Sequence, residues 1–232
     1  MGYRRPLALD LFCGAGGVCA GLQQAGFEVV GVDLAPQPDY PGTFVLGDAL
    51  WHRRFDWAQF DFIWASPPCP AYSGVSKWHR LHRGVQFPEL IEPTRSLLAN
   101  HPRTCIENVP EAPLRRDLVL VGRMFGLPIQ RKRIFEIQGF EVAPPFFHVP
   151  PAPYEPIYAW GDGASNGSIA RLRRGRPRAT TIDELRYGLG VTHIKSGTLR
   201  QQRHAYNNAI PPAYSNWIGK AALRSLTKSG IL

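Results

Sequence analysis

One cysteine of the sequence comes directly after two prolines that end a short apolar run. Residues 60–65 have the length and the aromatic and branched side chains of a buried strand, and Pro67 and Pro68 stop it because proline cannot donate to a sheet. Cys69 is therefore expected on a rigid turn at the carboxyl end of a strand, where ligands bind in open α/β sheets. The alternative is a buried structural cysteine, the usual state of a free cysteine.

Acidic side chains follow three other strand-like segments. Asp33 and Asp48 come after two of them, and the third runs into Glu107 and Asn108. Because the carboxyl ends of parallel strands lie at one edge of a sheet, we expect these side chains near Cys69. Asp33 has about the spacing at which nucleotide-binding folds place an acid on a ribose diol. For Asp33 or Asp48 alone, capping of a loop explains the residue equally well.

A glycine-rich turn joins the first predicted strand to the first predicted helix. The strand covers residues 7–12, the turn residues 13–17, and the helix residues 18–25, with Gly26 at its end. Strand, glycine turn and helix are the nucleotide-binding opening of a doubly wound fold, because glycines let the backbone approach a ligand and the helix N-terminus offers N–H groups. The glycines do not spell GxGxxG, which argues against a dinucleotide.

Basic residues lie in two segments that follow the predicted cysteine turn. Arg131 and Arg133 are two positions apart in a segment that passes from a turn into a strand, so we expect them on one strand face. Residues 74–87 show no clean period, and we expect a mobile basic loop over nucleic acid, with an ordinary solvated loop as the alternative. The DNA-binding candidates in and beside this loop are Ser73, Lys77, Arg80 and Arg83.

The composition changes after residue 139, where sheet periodicity is lost in segments rich in proline, glycine and small polar side chains. Arg174-Gly175-Arg176-Pro177 matches the core of an AT-hook, a minor-groove arm. Arginines this dense cannot all reach base edges, so phosphate contact is the favoured role and the AT-hook the alternative. The arginines of this run are Arg171, Arg173, Arg174, Arg176 and Arg178. After them we expect a helix over residues 182–187, a loop, and a final helix over residues 212–227.

The overall composition indicates a single α/β domain with a small appendage and a polyanionic partner. The 232 residues carry 27 basic and 18 acidic side chains, a formal charge of +9 that favours nucleic acid, although a GC-rich genome would also enrich arginine. The 4 cysteines form no CxxC pair and no zinc-like spacing with histidine, so neither a disulfide framework nor a metal is expected. No apolar run reaches membrane-spanning length, and we expect a soluble cytoplasmic protein without a membrane partner.

Motifs in chain order resemble those of the DNA cytosine-5 methyltransferase family, in its small bacterial or bacteriophage form. The resemblance covers about residues 7–138 and 180–222. The matching segments are Asp10-Leu11-Phe12-Cys13-Gly14-Ala15-Gly16-Gly17 for the cofactor motif, Pro67-Pro68-Cys69 for the nucleophile turn, Glu107-Asn108-Val109 for the ENV triplet, Arg131-Lys132-Arg133 for RxR, and Asn207-Asn208-Ala209-Ile210-Pro211-Pro212 for the closing GNAVPP.

The family resemblance implies an α/β fold, the Rossmann-like doubly wound sheet of methyltransferases that use S-adenosylmethionine (AdoMet), with a small irregular target-recognition insert. We accordingly divide the chain into a catalytic AdoMet-binding core over residues 1–139, a target-recognition region over residues 140–203, and a C-terminal segment over residues 204–232 that returns to the core. The middle region is very short for this role, which implies a short recognition target.

The activity implied by the resemblance is methyl transfer from AdoMet to carbon 5 of a flipped-out cytosine in duplex DNA, through a covalent adduct with Cys69. Glu107 would contact ring nitrogen 3 and the exocyclic amine, and Asn108 would hold the cysteine turn in place. Arg133 would bind the cytosine carbonyl oxygen, with Arg131 beside it. Base flipping is required because a stacked cytosine cannot be reached.

The cofactor site implied by the resemblance lies around the glycine turn. Phe12 would pack on AdoMet, Asp33 would accept from the ribose hydroxyls, and Asp48 would accept from the adenine amine. Leu34, where the family often has an aromatic residue, would offer less stacking, and Asn208 would close the pocket. The complete predicted set is Phe12, Gly14, Ala15, Gly16, Gly17, Asp33, Leu34, Asp48, Ala49, Pro67, Asn208 and Ala209.

The motifs depart from the family pattern at three positions. Pro70 and Ile129 replace glutamines that lie near the base and DNA in the family, and Asn207 replaces a glycine. Support for base flipping is therefore in question. The alternatives are a tRNA cytosine-5 methyltransferase, which shares these motifs, and a catalytically weak DNA-binding relative. The charge and the basic loop disfavour a small-molecule substrate, and a monomer is expected.

Overall fold

A seven-stranded sheet forms the centre of the protein. The computed structural model describes residues 4–51, 56–145, 171–173, 176–178, 181–228 and 230. The strands are β1 (Leu7–Leu11), β2 (Glu28–Asp33), β3 (Thr43–Leu46), β4 (Phe62–Ala65), β5 (Thr104–Asn108), β6 (Leu118–Leu120) and β7 (Arg133–Gln138). Their order is β3-β2-β1-β4-β5-β7-β6, and β7 is antiparallel to both of its neighbours while the other pairs are parallel.

Helices cover both faces of this sheet. They are α1 (Gly17–Ala25), α2 (Gly74–Arg83), α3 (Ile91–Leu98), α4 (Ile182–Leu189), α5 (Leu199–Asn208) and α6 (Pro212–Lys228). Alternate residues of a strand face opposite sides, and in β4 Phe62 and Trp64 join the cluster that includes α1 and α6, whereas Ile63 joins the cluster that includes α3. Burial on both faces explains why the sequence of β4 is continuously apolar. The predicted α/β doubly wound fold is confirmed.

Helices α1 and α6 approach each other at small residues. A methyl group added to Gly21 would overlap the carbonyl oxygen of Pro212 and the hydroxyl of Ser215. That hydroxyl donates to the carbonyl oxygen of Val18 at 2.9 Å, so a hydrogen bond crosses the interface at its tightest point. The last helix of the chain is therefore locked to the first one.

The segment predicted as a basic loop after the cysteine turn is in fact α2, so that prediction is wrong. Its first turn is capped by Ser73, whose hydroxyl accepts from the N–H of Ser76, and Gly84 ends it in the left-handed region at φ 61°. A polar N-cap residue and a glycine at the C-terminal end indicate a helix even when the side chains between them show no apolar period.

Helix α5 was also missed, because its sequence is polar and was taken as a loop. Thr198 and Gln201 form a capping box in which each side chain accepts from the other residue's backbone N–H. Helix α5 packs beside α4 through a cluster that contains Leu185, Leu189 and Tyr206. It runs across residues 203 and 204, where the sequence suggested a boundary, and the predicted division of the chain stays a prediction.

The predicted insert is described only in part. Within it, β8 (Arg171–Arg173) and β9 (Arg176–Arg178) form an antiparallel two-stranded ribbon. Arg174 lies outside the described residues. None of the helices in the described ranges is long and apolar enough to cross a membrane.

We predict that Gly21→Ala destabilises the protein by about 1 to 3 kcal/mol, because the added methyl overpacks the α1–α6 contact. Gly74→Ala is the matched control, since no atom lies within 4 Å of its added methyl and a helical alanine stabilises by up to about 1 kcal/mol. Urea unfolding measures both variants. Equal midpoints for Gly21→Ala and the wild type would contradict the proposed packing constraint.

Candidate active site

A cleft of about 1770 Å³ opens at the carboxyl ends of β1, β2, β4 and β5. All five predicted catalytic residues line it, and so does every predicted cofactor residue except Gly16. Gly16 instead has φ 83° at the start of α1, and an added methyl would overlap Pro41. The predicted residues that the cleft brings together are Phe12, Gly14, Ala15, Gly17, Asp33, Leu34, Asp48, Ala49, Pro67, Cys69, Ser73, Glu107, Asn108, Arg131, Arg133, Asn208 and Ala209.

Hydrogen bonds fix the turn that carries Cys69. The side-chain amide of Asn108, at the end of β5, donates to the carbonyl oxygen of Pro67 at 2.8 Å. The carbonyl oxygen of Cys69 accepts from the N–H groups of Tyr72 and Ser73, both at 2.9 Å. Because Asn108 is buried, loss of its bond would leave a polar group unpaired. The turn is thus held from both β5 and the segment that leads into α2.

A buried ion pair adjoins this turn. Arg133 Nε lies 2.9 Å from an oxygen of Glu107, which is only 4% exposed. Burial raises the pKa of Glu107, whereas Arg133, a hydrogen bond from Ser66 and the charge of Arg131 each lower it. The net rise brings the carboxyl closer to holding a proton at working pH, which is the property of a general acid.

The thiol of Cys69 has a raised pKa. Burial is the largest cause and lifts the value above the ordinary 9.0, with Glu107 acting in the same direction. Arg133 and Arg131 oppose this because their positive charges stabilise the thiolate. The sequence-based expectation that nearby arginines favour the thiolate therefore has the right sign, but burial outweighs them.

Arg131 does not lie in β7, so the predicted shared strand face is wrong. The strand begins at Arg133, and Arg131 has φ 25°, outside extended geometry. Its carbonyl oxygen accepts from the hydroxyl of Tyr214 at 2.8 Å, which ties this bend to α6. Burial and the charge of Arg133 lower the pKa of Arg131 to about 9. Both guanidinium groups still lower the pKa of the Cys69 thiol, although only Arg133 lies in the strand and Arg131 lies in the bend before it.

The glycine turn and Asp33 form one unit on the other side of the cleft. Asp33 accepts from the N–H of Gly14 at 2.9 Å and from the N–H of Ala35 at 3.0 Å. Gly14 has φ 47° and open space where a side chain would be, whereas a methyl on Gly17 would overlap the carbonyl oxygen of Ile210. Gly14 thus leaves room for a ligand, and Gly17 allows close packing.

The remaining predicted cofactor residues surround this unit. Asp48 accepts from the N–H of Leu50 at 2.9 Å, so this acid caps its loop while also lining the cleft. Leu34 is 73% exposed and offers an apolar surface to a ligand. Asn208 is the last residue of α5, and its amide nitrogen lies 3.0 Å from Nε2 of His204.

The loop before α5 is an unpredicted part of the cleft. His193 Nε2 donates to the carbonyl oxygen of Ala15 at 2.6 Å. Asp39 accepts from the N–H groups of Lys195 at 2.7 Å and Ser196 at 2.6 Å, and these bonds lower its pKa despite its partial desolvation. This loop lies in the predicted target-recognition region, and within the sequence only the capping box of α5 indicates an ordered element there.

The predicted DNA-binding residues that the structure describes lie on three elements. Ser73 caps α2 and lines the cleft, and Lys77, Arg80 and Arg83 belong to α2. The backbones of Arg171 and Arg173 form β8 and those of Arg176 and Arg178 form β9. Among the residues that the structure describes, no group of three or more histidine, cysteine or acidic side chains could hold a metal.

Solved structures with the same fold are methyltransferases. The Entamoeba histolytica methyltransferase EhMeth has a TM-score of 0.66 at 11% identity, covering 97% of this chain and 99% of that one. A protein described as a DNA modification methyltransferase encoded within a prophage (E. coli) gives 0.63 at 14%, with 96% and 99% covered. The S. pombe Dnmt2 methyltransferase gives 0.59 at 14%, also with 96% and 99% covered. The fold is therefore the Rossmann-like α/β fold of AdoMet-dependent methyltransferases.

The sequence itself identifies the family. Residues 8–113, which include the glycine turn, the Cys69 turn and Glu107-Asn108, match the family described as C-5 cytosine-specific DNA methylase. This match confirms over residues 8–113 the family recognised from the motifs, and the cofactor of the C-5 cytosine methyltransferases is AdoMet. No curated protein sequence matches the chain.

The residues of the cleft fit this cofactor. AdoMet presents a ribose diol, an adenine amine and a charged amino-acid end. Asp33 and Asp48 each have carboxylate oxygens at the cleft wall for the first two groups, and Leu34 offers apolar surface for the adenine ring. The open space at Gly14 allows close approach of the ligand to the backbone.

We predict that alkylation of Cys69 by iodoacetamide has a pH midpoint above 9.0, because burial raises its pKa. Arg133→Gln should move the midpoint upward, since the guanidinium stabilises the thiolate, and Glu107→Gln should move it downward. Mass spectrometry of the labelled peptides between about pH 7 and 11 gives the midpoints. Cys19, whose pKa burial raises to about 12, is the slower internal reference. A wild-type midpoint below 8 would contradict the effect of burial on Cys69. A shift of the midpoint in the same direction in both variants would contradict the opposite effects of Arg133 and Glu107.

Proposed function

We propose that the protein methylates carbon 5 of cytosine in duplex DNA, with AdoMet as methyl donor and Cys69 as nucleophile. The observation that carries this proposal is the single cleft in which the Cys69 turn, the Glu107–Arg133 pair and the glycine turn meet. Attack on a polar ring requires a nucleophile and groups that stabilise the charge that develops on the ring, and the cleft offers a thiol, a carboxyl and a cation together. The glycine turn on the other side of the cleft is suited to hold the cofactor beside them.

Each side chain has a distinct task in this reaction. Carbon 5 of cytosine is a poor nucleophile, and addition of the Cys69 thiolate to carbon 6 makes it reactive. Glu107 supports the addition by holding a proton toward ring nitrogen 3, in keeping with its raised pKa. Arg133 lies beside it to bind the carbonyl oxygen. AdoMet, when bound, would supply the methyl group and would leave as S-adenosylhomocysteine. Loss of the carbon 5 proton to water then restores the ring double bond and releases Cys69 as the thiolate.

A cytosine must leave the base stack to enter the cleft, at a cost of about a few kcal/mol. The start of α2 is suited to contact DNA during this step, because Ser73, Gly74 and Ser76 line the cleft. Helix α2 itself carries lysine, arginine and histidine residues in the sequence. We therefore assign to α2 the covering role that the sequence suggested for a loop.

The ribbon of β8 and β9 supports a phosphate-binding role for the insert. In the backbone register of the ribbon, Arg171 pairs with Arg178 and Arg173 with Arg176. Like charges directly opposite each other destabilise a strand pair unless anions neutralise them. A line of phosphates is such an anion, and pairing of Arg176 within a strand disfavours the extended AT-hook arm.

Transfer of labelled methyl from AdoMet to duplex DNA and to tRNA tests the proposed substrate. We expect label in duplex DNA, and Cys69→Ser should lower the rate by several orders of magnitude because the nucleophile is lost. Cys105→Ala is the control for loss of a thiol, since Cys105 is buried in β5 away from the cleft. Label in tRNA alone would replace DNA by tRNA as the substrate.

Covalent trapping tests the sulfur adduct in the same system. Duplex DNA with 5-fluorocytosine should form a stable complex with the wild type, because fluorine at carbon 5 blocks the elimination. Cys69→Ser should form none. Methylation of normal DNA without any trapped complex would refute the covalent route.

We predict that neutralising Arg173, Arg174 and Arg176 together weakens binding to all DNA sequences alike and lowers the salt slope by about 0.9 per lost phosphate contact. The matched control removes three charges from α6, with Lys220→Ala, Arg224→Ala and Lys228→Ala. Filter binding over a salt series gives the slopes. Methylation mapping of Arg176→Ala separates the roles, because a changed site preference would show base reading in place of phosphate contact.

A further inference from the structure

Helix α6 carries a buried phenol beside the active site. Tyr214 is 0% exposed, and its ring packs against Phe125 and Phe135 with centroid separations of 5.2 and 6.3 Å. Its hydroxyl donates to the carbonyl oxygen of Arg131 at 2.8 Å. The closing motif recognised in the sequence ends at Pro212, so the family pattern assigns no role to Tyr214.

The segment before β7 is held at two successive carbonyl groups. The N–H of Gly122 donates to the carbonyl oxygen of Gln130 at 3.1 Å, and Tyr214 holds the next carbonyl group. That carbonyl belongs to Arg131, whose φ of 25° lies in a region that residues other than glycine rarely adopt. Such a conformation persists only where the surrounding contacts enforce it. The hydroxyl of Tyr214 is one of these contacts, because it binds the strained residue itself.

The side chain of Arg131 leaves the backbone at this bend. Arg131 is buried and lines the cleft together with Cys69 and Glu107. Burial raises the pKa of the thiol and of the carboxyl, and the charge of Arg131 lowers both. The backbone dihedrals decide which side-chain rotamers are allowed, so a relaxed φ at this residue would redirect the guanidinium. The hydrogen bond from Tyr214 therefore bears on the charge balance of the site.

We propose that Tyr214 is a positioning residue for methyl transfer, because its hydroxyl holds the bend from which the Arg131 guanidinium stabilises the Cys69 thiolate. The role in catalysis rests on the proposed function, whereas the effect on the thiol is measurable without a substrate. Burial raises the pKa of Tyr214 above its ordinary value. Arg133 and Arg131 oppose this rise, and Glu107 adds to it. The net rise keeps the hydroxyl protonated, and thus a donor, while the thiol is titrated.

Tyr214→Phe tests the role of the hydroxyl, because it keeps the ring and removes the donor. The pH midpoint for alkylation of Cys69 by iodoacetamide should move upward. A nearby opposite charge shifts a pKa by about one unit or more, so partial displacement of Arg131 should slow alkylation at about pH 8 roughly 3-fold. In the methyl-transfer assay, kcat should fall by a similar factor while the KM for AdoMet stays unchanged, since the cofactor residues lie on other elements.

A double-variant cycle separates positioning from packing. Arg131→Gln should raise the Cys69 midpoint by itself, and Tyr214→Phe added to it should change the midpoint no further, because no charge remains to be positioned. Ser215→Ala is the matched control. Ser215 is the next residue of α6, is also 0% exposed, and its hydroxyl donates to the carbonyl oxygen of Val18 at 2.9 Å. This control should keep the wild-type midpoint even where urea unfolding shows a loss of stability.

Three outcomes would overturn the proposal. A wild-type Cys69 midpoint in Tyr214→Phe would show that the hydroxyl serves packing alone. An equal shift in Ser215→Ala would show that any loosening of α6 disturbs the thiol. A wild-type midpoint in Arg131→Gln would leave no charge to position, and this measurement does not require Tyr214→Phe to fold. Absence of methyl transfer by the wild type would instead refute the proposed function and leave the thiol measurements intact.

Discussion

Burial of the Glu107–Arg133 ion pair governs the electrostatics of the site. Removing two opposite charges from water is costly, and a pair of this kind persists when each partner has further contacts. Here Ser66 and Arg131 supply further interactions to Glu107, and the three charges of Glu107, Arg131 and Arg133 also act on Cys69. A change to any one of them alters the protonation of the carboxyl and of the thiol together. The acid and the nucleophile are therefore tuned as one coupled unit.

The direction of β7 makes this unit possible. A parallel strand would deliver its last residue to the edge where the chemistry lies, but antiparallel β7 delivers its first. Register pairs Asn108 with Ile134, so Arg133 is one position beyond the end of β5 and meets Glu107 there. The bend that precedes β7 adds a second positive charge, that of Arg131, which also acts on Cys69. Strand β7, which lies next to the outermost strand β6 and is antiparallel to both of its neighbours, thus adds cations where the parallel strands supply acids.

The sequence predicted those parts of the fold and of the site that depend on local residue patterns. Apolar runs ended by proline or glycine gave the central strands, and the polar residues after them gave the lining of the cleft. It failed where the deciding contact is distant: the bond from Asp39 to Ser196 joins residues 157 positions apart, and no local pattern encodes it. The pKa of Cys69 belongs to the same class, because burial by the whole fold outweighs the neighbouring arginines. Helices α2 and α5 were missed although their caps were readable, because polar helices lack the apolar period that carries most assignments.

The contact of α1 with α6 has a consequence for synthesis on the ribosome. Gly17 and Gly21 close against Ile210, Pro212 and Ser215, which are translated long after the glycine turn. At ordinary elongation rates the interval is some tens of seconds. Through that time the apolar side of α1 has no partner helix, and the nascent chain exposes a surface that chaperones bind. A chain that ends before α6 therefore has its cysteine turn and its Glu107-Asn108 pair but lacks the helix that supports its glycine turn.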